Sequence, residues 1–128
     1  MPIRMPEAAV ACGAAILLGC TEGQVLCAPS RGIAVAVDVR DSASSQSLVR
    51  NARGVALVGS LSDSLRGDVV SDFPDTVLVG GAGVGVYEVR VEAPGYEPWS
   101  ASNVRVRLSG GDCPDLVIQP LTARLQAQ

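Results

Sequence analysis

Histidine is absent from this 128-residue chain, and so is lysine: all ten basic residues are arginine. The first absence removes whole chemistries. A Ser-His-Asp triad, a Cys-His pair and a histidine-ligated zinc each need an imidazole that the chain does not have. The second reads as the codon bias of a GC-rich genome rather than as chemistry. Aromatic residues are nearly as scarce, with Phe73, Tyr87, Tyr96 and Trp99 the whole set. Positive charge is not in excess: 10 Lys and Arg against 13 Asp and Glu leave a formal net charge of −3. Without a basic patch to neutralise phosphates, no nucleic-acid partner is expected. Convincing helical periodicity is missing everywhere. What the chain has instead is Val, Leu and Ala, and a Val-rich apolar content favours strands. The length suits one modest domain with a leader.

The first twenty residues read MPIRMPEAAVACGAAILLGC. Arg4 makes the start positive, and Ala8 to Gly19 is an apolar run with the charge of Glu7 at its edge. A membrane span needs about 20 residues, so this run is too short, but it has the length of a secretory signal's apolar segment. Its end, Leu17-Leu18-Gly19-Cys20, resembles the lipobox of bacterial lipoproteins. The resemblance implies a signal peptide over 1–19, a diacylglyceryl group on the Cys20 sulfur, and cleavage just before Cys20. It also implies anchoring to a membrane through that lipid, which holds firmly once two or more chains are attached. Thr21 stands where an Asp would mark inner-membrane retention in Gram-negative lipoproteins, which favours the outer membrane. The expected location is therefore secreted and lipid-anchored to the cell envelope. The other readings of these residues are an ordinary signal peptide with a chance cysteine, or a buried amino-terminal helix.

Four cysteines occur, at 12, 20, 27 and 113. If Cys12 leaves with the signal and Cys20 is lipidated, Cys27 and Cys113 remain in an oxidising compartment, and a disulfide is their natural pairing. Closing so long a loop stabilises by about 4–5 kcal/mol on the chain-entropy account. Two free buried thiols are the alternative. Neither cysteine belongs to a Cys-x-x-Cys pair, so no redox or zinc role is expected.

Beyond a polar tether over 20–31, apolar and polar residues alternate with period two. Ile33, Val35, Val37 and Val39 alternate with Ala34, Ala36, Asp38 and Arg40, which predicts a strand with one apolar face. Further strands are predicted at Gly54–Leu61, within the mixed stretch 62–76, at Thr76–Val79, at Val86–Glu92, and around Val104, Val106 and Leu108. A last one lies within Leu116–Leu125, where Pro120 demands an edge or a bulge. The Gly80–Gly85 run GGAGVG superficially suggests a phosphate-binding loop. That motif needs a following helix, and a strand follows here. About seven short strands separated by turns read as a β-sandwich.

The run Val86-Tyr87-Glu88-Val89-Arg90-Val91-Glu92-Ala93-Pro94-Gly95-Tyr96, with Ile33–Asp41 before it, resembles the carboxypeptidase regulatory-like domain. That family is a transthyretin (prealbumin)-like β-sandwich, and the resemblance spans about residues 32–125. It implies an all-β, Greek-key-type, seven-stranded domain over 32–128. Asp41-Ser42-Ala43 lacks the Gly-Pro turn usual at that place. In the family's carboxypeptidases the zinc site belongs to a neighbouring domain. A 5-hydroxyisourate-hydrolysing branch of the fold uses histidines. The expectation is therefore no enzyme, no cofactor and no metal: an envelope module for protein or glycan contact, or with a structural role. Two alternatives stay open. A calcium-binding module would use Asp63, Asp68, Asp72 and Asp75 with Asp112 and Asp115. A histidine-free hydrolase would draw acid-base pairs from the same aspartates. Tyr96 and Trp99 are expected to cap one end of the sandwich by packing.

Overall fold

A computed structural model of the chain describes residues 26, 27 and 32–128. The expected signal peptide over 1–19, with Cys12, and the lipid acceptor Cys20 lie outside them. Eight strands form: β1 (Val35–Asp41), β2 (Arg53–Val58), β3 (Leu61–Ser64), β4 (Arg66–Asp68), β5 (Val77–Gly80), β6 (Gly85–Glu92), β7 (Trp99–Val106) and β8 (Gln119–Leu125). They make two four-stranded sheets, ordered β4-β5-β1-β8 and β3-β2-β6-β7. All pairings are antiparallel except β1 with β8, which is parallel. The described chain is all-β and sandwich-like.

The period-two pattern builds the space between the sheets. Val35, Val37 and Val39 of β1 meet Tyr87, Val89 and Val91 of β6, Val104 and Val106 of β7, and Ala123 and Leu125 of β8 in one buried cluster. Each valine or leucine among them, fully taken out of water, contributes about 1.5–3 kcal/mol. Pro120 sits on β8, an edge strand, where its missing N–H breaks no ladder.

The structure differs from the pattern in several places; the strand expected around 104–108 runs from Trp99 to Val106, and Ile33, expected beside Val35, faces the other way. The expected strand over 54–61 is a hairpin, because Gly59 adopts φ 57 and turns the chain between Val58 and Leu61. The third extended run then changes sheets. Leu61–Ser64 pairs with β2, and after Leu65, Arg66–Asp68 pairs with β5. One run thus supplies two strands, so seven extended runs give eight strands. Lastly, β1 is apolar on both faces. Ala36, on its nominally polar side, is fully buried with Ile33, Val70, Val77 and Val79, and Phe73 and Ile118 pack over them. The segments carrying Val70, Phe73 and Ile118 roof the outer face of that sheet as a second, smaller core.

Leu65 is wedged where the run crosses. A Cβ on Gly54 of β2 would stand 2.8 Å from its Cδ1, and one on Gly80 of β5 would stand 2.7 Å from its Cδ2. A glycine in each sheet makes room for one leucine between them.

Candidate functional site

The strand register sorts the loops to two ends. Val35 opposes Gly80 and Gln119, and Gly85 opposes Val106. These pairings bring the 81–84 turn and the 107–118 segment together at one end. At the other, Asp41 opposes Leu125, Arg53 opposes Glu92, and Val91 opposes Trp99.

Cys113 lies in the 107–118 segment, and its Cα is 5.4 Å from that of Cys27, at disulfide distance. The expected pairing therefore joins two residues brought together at the first end. The sequence separation is 86 residues.

Two amides of the glycine turn at that end are already taken by side chains of the protein. Tyr87, buried in the core, donates its hydroxyl proton to the Gly83 carbonyl at 2.7 Å and accepts from the Ala82 N–H at 2.9 Å. The Gly81 N–H donates to the Asp63 carboxylate at 2.7 Å. Two loop amides thus point at side chains of the protein itself.

The aspartates singled out for calcium or hydrolysis are scattered rather than gathered. Asp63 serves the glycine turn. Asp75 pairs at 2.6 Å with Arg40, whose guanidinium also binds Asp38 at 3.0 Å. These hydrogen bonds, Asp75's first, hold the Arg40 pKa above its usual value. Asp115 accepts from the Leu116 N–H, and Asp68 from that of Val69. Among the described residues, no three Asp, Glu or Cys side chains gather where a metal ion could be held.

At the second end, Tyr96 and Trp99 pack against the main core as expected. The Tyr96 hydroxyl donates to Asp41 at 2.6 Å across 55 residues of chain. The other Asp41 oxygen accepts from the N–H groups of Ala43 and Ser44. Both amides close an Asx turn directly after β1. The Tyr96 hydrogen bond, followed by those from Ser44 and Ala43, lowers the Asp41 pKa to about 2, while Tyr96 is pushed above its usual value.

Beside this pair runs a groove of about 540 Å³ across four strands. Its lining is the runs 53–55, 90–92 and 98–100, with Ser64 and Leu65. The register places Ser64, Val55, Arg90 and Ser100 in one cross-strand row, with Arg53 and Glu92 in the next on the same face. Val55 is apolar, and Trp99, whose side chain packs against the core, borders the groove. Arg53 and Glu92 also line a second hollow of about 330 Å³, shared with Tyr96 and Gln128. Arg90 is held to Glu88 at 2.6 Å, an exposed pair worth little to stability.

Comparison with protein-family models finds no match, and comparison with the curated proteins finds none either.

The groove leaves only a faint trace in the sequence. The pair Arg53 and Val55 on β2, and Arg90 and Glu92 on β6, each share a face by period two, which is the signal available in one dimension. Which two strands lie side by side is not.

Proposed function

We propose that this chain is a non-enzymatic envelope lipoprotein whose single β domain binds a protein or glycan in the groove lined by residues 53–55, 90–92 and 98–100. The observation that carries the reading is the division of the molecule into two ends. Cys27, a few residues after the lipobox, is joined to the 107–118 segment at one end, while the groove lies at the other. A tethered module of this design presents its contact surface away from its anchor. The groove is lined by apolar Val55 and the cations of Arg53 and Arg90 on one face of the sheet, with Trp99 at its border. Apolar floors with a few charged and aromatic groups suit orienting contacts.

In this reading Cys20 carries the lipid, residues 1–19 are removed, and the module stands on the outer membrane. The seven extended runs and the Gly95–Tyr96 turn after β6 support a Greek-key, transthyretin-like sandwich of the carboxypeptidase regulatory-like kind. The nucleophile-activating imidazoles of hydrolases have no counterpart in a chain without histidine.

Two experiments test the proposal. Membrane fractionation of a Cys20→Ser variant should move the protein to the soluble fraction; continued membrane partition sinks the lipid anchor. Photo-crosslinking from position 100 in intact envelopes should give adducts that Val55→Glu and Arg53→Glu abolish. Adducts unchanged by both substitutions would refute the groove.

A further inference from the structure

Among the described residues, six large apolar side chains stand conspicuously in water: Leu26, Leu61, Val69, Val84, Val86 and Leu108. Five of these six gather at one end. Leu26 adjoins Cys27, Leu61 opens β3 after the Gly59 turn, Val84 and Val86 border the start of β6, and Leu108 follows β7. Gly85 opposes Val106, and a Cβ on it would stand 2.7 Å from the Val58 side chain, so the β2–β3 turn, the 81–84 turn and the close of β7 converge there. Val69 alone lies elsewhere. The opposite end has its aromatics folded onto the core.

We propose that this apolar end is a lipid-contacting surface, resting on the bilayer to which the chain is anchored. The inference builds on the lipid-anchor reading for what brings the surface to a membrane. Chain length commits it to that occupant. The six residues 21–26 separate Cys20 from Cys27. Even fully extended, they let Cys27 stand no farther than about 25 Å from the lipid-bearing residue. The disulfide, with 5.4 Å between its Cα atoms, then tethers Cys113 and the 107–118 segment of this end close to the same point. Side chains that would be a liability on a free surface become an asset against acyl chains. Charge does not drive the contact: Arg105 and Arg107 on one side are matched by Asp112 and Asp115. An uncharged lipid is therefore enough.

The test reads depth in the whole protein. In a Trp99→Phe background, single tryptophans are introduced by Leu61→Trp, Val86→Trp and, as a control off this end, Val69→Trp. Each full chain is purified from membranes, reconstituted in phosphatidylcholine vesicles and quenched with brominated phosphatidylcholine. Quenching at 61 and 86 should exceed that at 69 by at least about twofold, since interfacial side chains sit at the headgroup–acyl boundary. Flotation with the vesicles but equal quenching at all three positions would overturn the surface and leave the anchor standing. Strong quenching at 61 and 86 that persists with Cys20→Ser would support the surface and remove the anchor. Failure to float at all would overturn both. Self-association lost on Leu61→Ser and Val86→Ser, with no quenching, would assign the end to a second copy and overturn the proposal.

Discussion

Leu65, where the chain passes from one sheet to the other, offers a test of the packing by a double-mutant cycle with Gly80. Leu65 is nearly buried, so Leu65→Ala removes most of a core side chain and should cost about 2–5 kcal/mol. Gly80→Ala places a Cβ 2.7 Å from Leu65 Cδ2 and 3.0 Å from Asp63 Oδ2. That overpacking should cost about 1–3 kcal/mol. In the double variant the leucine methyl is gone. The nearest remaining atoms are the carboxylate tip of Asp63, which can shift by a few tenths of an ångström, and the Cα of residue 65 at 3.5 Å. The added methyl then fills part of the cavity instead of colliding. The two changes should therefore couple favourably by at least about 1 kcal/mol. Gly54→Ala is the contrast. Its Cβ would meet Leu65 Cδ1 at 2.8 Å but also the Arg90 carbonyl oxygen at 2.9 Å, and backbone cannot step aside. Leu65→Ala should rescue it poorly. Urea denaturation followed by Trp99 fluorescence measures all five variants; with a slope of about 1–1.5 kcal/mol/M, the coupling moves the midpoint by about 0.7–1 M. Strictly additive costs for Leu65 and Gly80 would refute the wedge.

Three further outcomes are expected. Asp41 has its carboxylate pKa lowered to about 2 from 3.8, so its contribution is in place above pH 4 and is lost as pH falls towards 2; Asp41→Asn should flatten the acid limb of stability against pH between 4 and 2, read from urea midpoints. Replacing Cys27 and Cys113 by Ser frees a closure of 86 residues, worth at most about 4.6 kcal/mol on the chain-entropy account, and should lower the thermal midpoint in oxidising buffer only; a variant as stable as the oxidised parent would mean that the bridge constrains little. Asn103 adopts φ 59 where the β6–β7 register slips between Tyr87 and Val89, so Asn103→Val should cost about 1–2 kcal/mol by thermal unfolding and Asn103→Gly almost nothing; equal costs would deny the bulge.

Much of this architecture is legible in one dimension because burial between two sheets imposes period two. Val35, Val37, Val39, Tyr87, Val89 and Val91 declare their faces directly, and Pro120 announces an edge. The turn at Gly59 was hidden by apolar residues on both sides of it, which prolong the β2 pattern to Leu61. The crossing at Leu65 is illegible for a different reason: the run around it is polar, and its partners change from β2 to β5 without any change in composition. The second core is hard to read because alanine carries almost no pattern signal, so Ala36 passes for a polar position, and because Ile33, in phase with Val35 in sequence, joins Ala36 on the other face. The disulfide partners follow from counting once two cysteines are set aside. The groove does not, since it depends on which strands become neighbours. The parallel partnership of β1 with β8, 84 residues apart between Val35 and Gln119, is likewise set by the tertiary fold alone.

The proposed amino terminus is processed and lipid-bearing and leads into a stapled β domain. Intact-mass and top-down mass spectrometry of the protein extracted from membranes reads this in one measurement. It should find a chain beginning at Cys20, heavier by a diacylglyceryl group, with the Cys27 and Cys113 thiol protons missing. A chain that still begins at Met1, or one that begins elsewhere without lipid, would contradict it.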